Sequence, residues 1–272
     1  MTKPTTFHDL IGLDLGPQDV SWTERDAILY ALACGARAEE LDLVYERDLR
    51  PLPGMVAALG LWAVERCGEL GVYDRKKSLH VSQGIVMHRR MARAAVVPTR
   101  GRVVAVWDKG KATIVEIEVS SDVFTASYSI FLPGIGGWGG AQPPAAEKAE
   151  APALAAVGSY QTLPQQAVLY RLTGDLHPVH VDPEVAKGYG FDRPILHGLC
   201  TLGIALRMLG PAVNRHPSEL ATATARLSAP VLPGDELLLR AAALNDGIAF
   251  DVMVADRAVL KDGFASFAAP KN

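Results

Sequence analysis

The 272-residue sequence is short of cysteine, of net charge and of long apolar runs, and each shortage narrows what the chain can be. Its three cysteines, Cys34, Cys67 and Cys200, are odd in number, widely spaced and set among apolar neighbours, with no Cys-x-x-Cys pair. That pattern argues against a disulfide framework and predicts reduced, buried thiols with a structural role. A formal charge of −3 gives neither nucleic acid nor an anionic membrane a global attraction, so neither partner is expected and a small molecule is the default ligand. No uninterrupted apolar run is long enough to span a bilayer. The opening "MTKPTTFHDLIGLDLG" lacks the apolar stretch of a secretion signal, and the closing "APKN" is not a peroxisomal tail of the Ser-Lys-Leu type. The resulting expectation is a cytoplasmic location.

What is present suits a folded core: 49% of the residues are hydrophobic and 21% charged, in a chain long enough for one large domain or two of ordinary size. Composition shifts at 141–157, "AQPPAAEKAEAPALAAV", where alanine, proline and glutamate interrupt the periodic pattern. This reads as a linker. The expected organisation is an N-terminal half, 1–140, a linker, 141–159, and a C-terminal half, 160–272. The glycine-rich "PGIGGWGG" (133–140) follows a strand pattern and precedes no clear helix, which favours a chain-reversing loop over a phosphate cradle.

Both halves show the same order of elements. In the first, "SWTERDAILYALACGA" offers Thr23 as N-cap, acids in the first turn and Gly35 near the end, the signals of a short helix. Next, "LPGMVAALGLWAVERCG" (52–68) is apolar almost all round and predicts one long buried helix. The runs "GIVMHRRMA", "RVVAVWD", "ATIVEIEVS" and "VFTASYSIFL" are then β-rich, and "TIVEIEV" and "FTASYSIFL" alternate as half-buried strands do. The second half has a polar entry (170–183), a short helix from Pro183 and an apolar helix "GLCTLGIALRML" (198–209). Four β-rich runs close it, with turns at "PGD" (233–235) and "NDG" (245–247). Leu52-Pro53-Gly54-Met55 superposes on Leu196-His197-Gly198-Leu199, which points to an internal duplication. Two copies of a helix followed by an antiparallel sheet predict an α+β fold, with each sheet curled around its helix and a groove between copies paired edge to edge.

Only the second copy carries "GDLHPVHVDP" (174–183). Three readings of it stay open. Asp175, His177, His180 and Asp182 are credible ligands for a divalent metal, although Pro178 pushes His177 out of helical conformation and spoils a His-x-x-x-His pairing on one helical face. Alternatively, Asp175 and His180 lie close enough on a turning segment to orient and deprotonate one water. On the third reading the segment is a polar turn, with Asp175 capping the turn and Asp182 capping the helix that opens at Pro183. Farther on, Gly198 in "PILHG" opens a helix whose first N–H groups are unpaired and lie at the positive end of its dipole. Such a donor can hold a carbonyl oxygen that gains negative charge. His197 beside it reads as packing or capping.

The stretch "YRLTGDLHPVHVDPEVAKGYGFDRPILHGLCTLG" (170–203) resembles the hydratase 2 motif of the MaoC-like family of (R)-specific enoyl-CoA hydratases. Weaker likenesses, "LHVSQ", "DKGKAT", "GIGGWGG" and "RLSAPVLPGDEL", extend it over most of the chain. The resemblance implies a double hotdog, two antiparallel sheets each wrapped around a central helix, with the N-terminal half widening the acyl pocket. It implies reversible hydration of trans-2-enoyl-CoA to (R)-3-hydroxyacyl-CoA. In that reading Asp175 and His180 match the catalytic pair, and Gly198 matches the glycine whose N–H holds the thioester oxygen. His80, Val81 and Lys109 fall where relatives contact the substrate, and Leu227 replaces a phenylalanine beside the pocket. The family's asparagine is His177 here, so a non-catalytic acyl-CoA-binding protein is the alternative, with a metal-dependent hydrolase or a hotdog thioesterase behind it. No metal or cofactor is implied, the CoA thioester being the substrate. A homodimer is a further expectation, since relatives often pair.

Overall fold

Alternating burial along the β-rich runs explains why they form sheet: in "ATIVEIEVS" the fully buried residues Val115, Ile117 and Val119 alternate with polar ones, so one face is apolar. The computed structural model describes residues 3–145 and 152–267; the middle of the expected linker, 146–151, lies outside the described residues. The strands are β1 (Asp14–Trp22), β2 (Leu79–Met87), β3 (Ala95–Asp108), β4 (Ala112–Ser120), β5 (Phe124–Pro133), β6 (Ala155–Gln161), β7 (Leu220–Leu227), β8 (Glu236–Ala243), β9 (Ile248–Val254) and β10 (Arg257–Phe267). They form one sheet in the order β1-β3-β4-β5-β2-β7-β10-β9-β8-β6. The two expected sheets are thus joined as one, because β2 and β7 pair antiparallel from Ser82↔Arg226 to Val86↔Thr222. Each of these edges satisfies the other's backbone groups.

Two strands were not anticipated. β1, "DLGPQDVSW", carries turn-forming residues that mask a strand pattern, and its proline is tolerated because β1 is an edge that pairs only with β3. β6 begins at Ala155, inside the segment 141–159 read as linker, and pairs with β8 at the opposite edge. Its burial is too slight for periodicity to reveal it.

The helices are α1 (Phe7–Leu10), α2 (Glu24–Ala33), α3 (Leu41–Val44), α4 (Met55–Leu59), α5 (Leu61–Glu69), α6 (Gln166–Tyr170), α7 (Pro183–Gly188) and α8 (Gly198–Ala212). Thr23 caps α2 in a capping box with Asp26. α8 runs unbroken against β6, β7, β8 and β10. Its N-terminal counterpart, expected as one helix over 52–68, is broken at Gly60 into α4 against β2 and β5 and α5 against β1, β3 and β4. The buried Tyr128 hydroxyl from β5 causes the break: it donates to the Ala57 carbonyl at 2.8 Å, and a Cβ at residue 60 would overlap it.

The halves interlock at the end of α2, whose last carbonyls lack helical partners. Ala33 O accepts from Gln166 Nε2 (2.6 Å) and Cys200 Sγ (3.4 Å), and Cys34 O from Arg207 Nε (2.9 Å), so the C-terminal half caps a helix of the N-terminal one. All three cysteines are free and buried. Among the described residues no helix is long and apolar enough to cross a membrane.

Candidate active site

Proline and capping residues shape the segment 174–183 locally. His177 is the N-cap of a single 3-10 turn, Pro178–His180, with Pro178 at its first position, where a missing N–H costs nothing. Asp182 caps α7, accepting from Glu184 N (2.9 Å) and Val185 N (3.3 Å). Asp175 Oδ1 accepts from His177 N at 3.2 Å, so this carboxylate does steady the turn, yet it also faces a cavity.

That cavity has a volume of about 820 Å³ and lies between the two halves. Leu61 and Val64 of α5 and His80 and Val81 of β2 form part of its N-terminal wall, while Asp175, His177, His180, Gly198 and Leu227 face it from the C-terminal half. The β2–β5 register shifts between His80 and Ser82, and such a bulge re-aims side chains, here bringing both His80 and Val81 to the wall. Lys109 is the exception. It sits exposed in the β3–β4 hairpin, its N–H bonded to Ala112 O at 2.8 Å, and β5 stands between that hairpin and β2 in the sheet. Neighbouring Asp108 explains both "DKG" and "GIGGWGG": its carboxylate accepts from Gly110, Gly137 and Gly139 N–H at 2.8–2.9 Å and ties the glycine-rich loop to the hairpin.

Hydrogen bonds assign the imidazole tautomers. His180 Nδ1 faces the Ile195 carbonyl at 2.9 Å and must donate to it, leaving Nε2 as a free acceptor. His197 Nε2 donates to the Asp175 carbonyl at 3.1 Å. His177 Nδ1 accepts from Val179 N at 3.3 Å, so its Nε2 carries the proton and lies 3.2 Å from the Tyr189 hydroxyl. Burial lowers the proton affinity of His177 and His180 and takes His80 down to about 4 and His197 to about 3, with the Asp175 charge opposing the fall at all four. All four are therefore neutral at pH 7.

Ligand atoms of Asp175, His180 and His197 lie within 4.8 Å of one another, so the metal reading gains a geometric candidate that shares Asp175 and His180 with the four ligands expected from the sequence and has His197 in place of His177 and Asp182. The ring planes oppose it. His180 and His197 are stacked, with centroids 3.6 Å apart and planes 24° from parallel. A metal binds an imidazole lone pair in the ring plane at about 2 Å, and two planes stacked in this way do not meet so close to both nitrogens. The donor set fits a metal only after one ring turns, which would break the bond to Ile195 or to Asp175.

Gly198 is the first residue of α8, and its N–H has no acceptor among the described residues. A Cβ there would come within 2.9 Å of Leu227 Cδ1, so glycine keeps this helix start close to β7 and open to the cavity. Sequence reading named Asp175, His177, His180, Gly198, His80, Val81 and Leu227, and all seven line the cavity. It missed Tyr189, which nothing in "KGYGF" singles out, and set aside His197, whose neighbour Gly198 was the only local signal.

Comparison with known proteins bears on the family and the fold. A MaoC-like domain family matches residues 146–261, and the MFE-2 hydratase 2 N-terminal domain family matches 20–132. The chain is 33% identical over 247 residues to a probable enoyl-CoA hydratase 2 of Dictyostelium discoideum, covering 84% of each. It is 34% identical to a peroxisomal enoyl-CoA hydratase 2 of Arabidopsis thaliana, covering 80% of this chain and 81% of the other. It is 35% identical to 3-hydroxyacyl-thioester dehydratase Y of Mycobacterium tuberculosis, covering 84% of each. A MaoC-like dehydratase from Phytophthora capsici superposes with a TM-score of 0.84 at 23% identity, over 95% of this chain and 96% of that one. A second M. tuberculosis protein, described as a double hotdog, superposes with a TM-score of 0.63 at 18% identity, over 96% and 98% of the two chains. The fold is a double hotdog.

Proposed function

The chain belongs to the MaoC-like enoyl-CoA hydratase 2 family, and from that premise we propose which of its residues carry the family's reaction. The enzyme hydrates trans-2-enoyl-CoA to 3-hydroxyacyl-CoA and catalyses the reverse dehydration. The observation that supports the assignment most is the neutral His180, its Nε2 lone pair free, grouped with the Asp175 carboxylate and the unpaired Gly198 N–H on one cavity wall.

A water held between Asp175 and His180 Nε2 gives its proton to the pair as its oxygen bonds to the β-carbon. The carbon–carbon π electrons move toward the thioester, whose oxygen becomes an enolate held by Gly198 N–H, a donor typically worth ~3 kcal/mol to such a transition state. The α-carbon then takes a proton from the same pair, and the carbonyl re-forms. Addition from one fixed face gives the (R)-alcohol of the family resemblance. No metal takes part, a proposal that rests on the stacked imidazole planes.

His177 is compatible with turnover. Its Nδ1 stands the same number of bonds from the backbone as an asparagine Oδ1, and it makes the N-cap bond to Val179 N that an asparagine there would make. The expected cytoplasmic location and homodimer belong to this proposal too; the peroxisomal Arabidopsis relative is the reason to check the former by cell fractionation.

Hydration of crotonyl-CoA and of longer enoyl-CoAs, followed by loss of enone absorbance, tests the assignment. Asp175→Asn and His180→Ala are each expected to lower kcat by ~10³-fold, whereas His177→Asn stays within about threefold of the wild type because the turn keeps its cap. A wild-type protein that binds short, long and branched enoyl-CoAs without turning them over would make it an acyl-CoA-binding protein. Release of free CoA thiol would instead show a thioesterase, and stoichiometric zinc or iron needed for activity would show a metal enzyme.

A further inference from the structure

His197 is fully buried and is the residue just before α8. A helix-flanking residue of this kind commonly caps, yet no side-chain cap bond forms here. Its Nε2–H goes instead to the backbone carbonyl of Asp175, and its ring lies flat against His180. Its other nitrogen, Nδ1, is buried with no partner among the described residues, and so is the hydroxyl of Tyr170, whose ring centroid is 4.9 Å from that of His197. A buried polar atom without a partner calls for an explanation.

The combination is informative because each half of it could be had more cheaply. A residue needed only to fill the space would be phenylalanine or leucine, with no orphaned nitrogen. A residue needed only to hold the Asp175 carbonyl would be glutamine, whose Nε2 can donate as well. Imidazole is the side chain here that supplies a donor to one member of the working pair and a flat face to the other. We propose that His197 is a positioning residue for hydration: its Nε2–H fixes the backbone of Asp175 while its ring fixes the plane of His180, so that carboxylate and Nε2 lone pair converge on one water.

This rests on Asp175 and His180 being the working pair. The charged and titratable groups that face His197 are Asp175, His180, Arg171 and Tyr170. Burial holds its ring neutral, which the device needs: a cation stacked on His180 would repel the proton that His180 has to accept. The matching position in the N-terminal half is Pro53, which has neither donor nor aromatic face.

Two variants separate the two contacts. His197→Phe keeps a flat face and loses the donor; His197→Gln keeps the donor and loses the face. Both are expected to leave KM for crotonyl-CoA within about twofold and to lower kcat by ~10- to 100-fold, the usual penalty for misplaced catalytic groups. Only His197→Gln is expected to move the acid limb of the kcat–pH profile toward an ordinary imidazole value, because water then reaches His180. Wild-type kcat and pH profile in either folded variant would overturn the proposal, as would a loss in KM alone. Asp175→Asn and His180→Ala assayed in parallel tell its failure from that of the underlying reading: if they too are fully active, the reading itself falls. Should neither His197 variant fold, imidazole 15N NMR of the wild type decides. His197 is expected to stay in the Nε2–H form at pH 5, and titration near 6.5 would overturn the proposal.

Discussion

Gly54 and Gly198 occupy matching places at the start of the helical segment that each half of the sheet curls around, but their surroundings differ. A Cβ on Gly54 would press on the buried Tyr30 hydroxyl at 2.6 Å, deep between the halves. Gly198 faces the cavity, and the three atoms nearest a Cβ there all belong to Leu227. One duplicated position is thus a packing contact in the N-terminal half and a cavity-facing helix start in the C-terminal half. The segments behind these glycines diverge too. α8 is continuous from Gly198 to Ala212, whereas α4 and α5 are broken by Tyr128, and Leu61 and Val64 beyond the break line the cavity. The copies divide the cavity unevenly: the segment with Asp175, His177 and His180 and the Gly198 helix start face it from one copy, and the broken helix opens room for it in the other.

The sharpest way to break this comparison is to place the same methyl group in both halves. Gly198→Ala is expected to lower kcat by ~10²-fold, since a displaced helix start moves the thioester donor. Gly54→Ala should leave kcat within about twofold and reduce stability by about 1–3 kcal/mol through overpacking. Steady-state kinetics and urea denaturation read the two, and equal behaviour would dissolve the distinction.

A smaller effect is expected at the helix break. Tyr128→Phe removes a buried hydrogen bond and should cost about 1–2 kcal/mol in urea denaturation. Combined with Gly60→Ala it lets the helix continue, and kcat/KM for long enoyl-CoAs should fall about fivefold relative to crotonyl-CoA as the cavity narrows. An unchanged ratio would mean that the break has no part in chain-length preference.

The pH dependence of stability is shared by the two halves, through His80 and His197. Both are held below the ordinary imidazole value by burial, to about 4 and about 3. Above pH 6.5 neither state is protonated at these groups and their contribution is flat. Below it the unfolded chain binds protons that the folded one refuses, so stability falls by about 1.4 kcal/mol per pH unit for each histidine until its folded value is reached. Thermal melts between pH 7 and 4 measure the slope, and replacing either histidine by glutamine should reduce it. Equal slopes in the wild type and both variants would exclude the two residues as its source.

Much of this was legible because its causes are local. Thr23 with Asp26 and Asp182 with Pro183 announce helix starts through hydrogen bonds that span three residues. Alternation in "TIVEIEV" reports a half-buried strand wherever the strand lies. The pair Asp175 and His180 stands in one turn, so ten residues suffice to suggest it. β1 escaped because its glycine and proline mask the pattern of its buried Leu15, Val20 and Trp22, and β6 because it buries no residue. The break at Gly60 escaped because its cause, Tyr128, is remote in sequence.

The sequence by itself therefore determined the duplication, the α+β class and the family, and it singled out the segment 174–183, all of which rest on periodicity, capping and a contiguous motif. Tertiary structure alone decided that His80 and Val81 join that segment across one cavity while Lys109 does not, that His180 lies against His197, and that His177 reaches Tyr189. The reason is physical: these contacts depend on how β2 pairs with β7 and how the loop 189–197 folds back over the turn, and neither leaves a periodic trace in the chain.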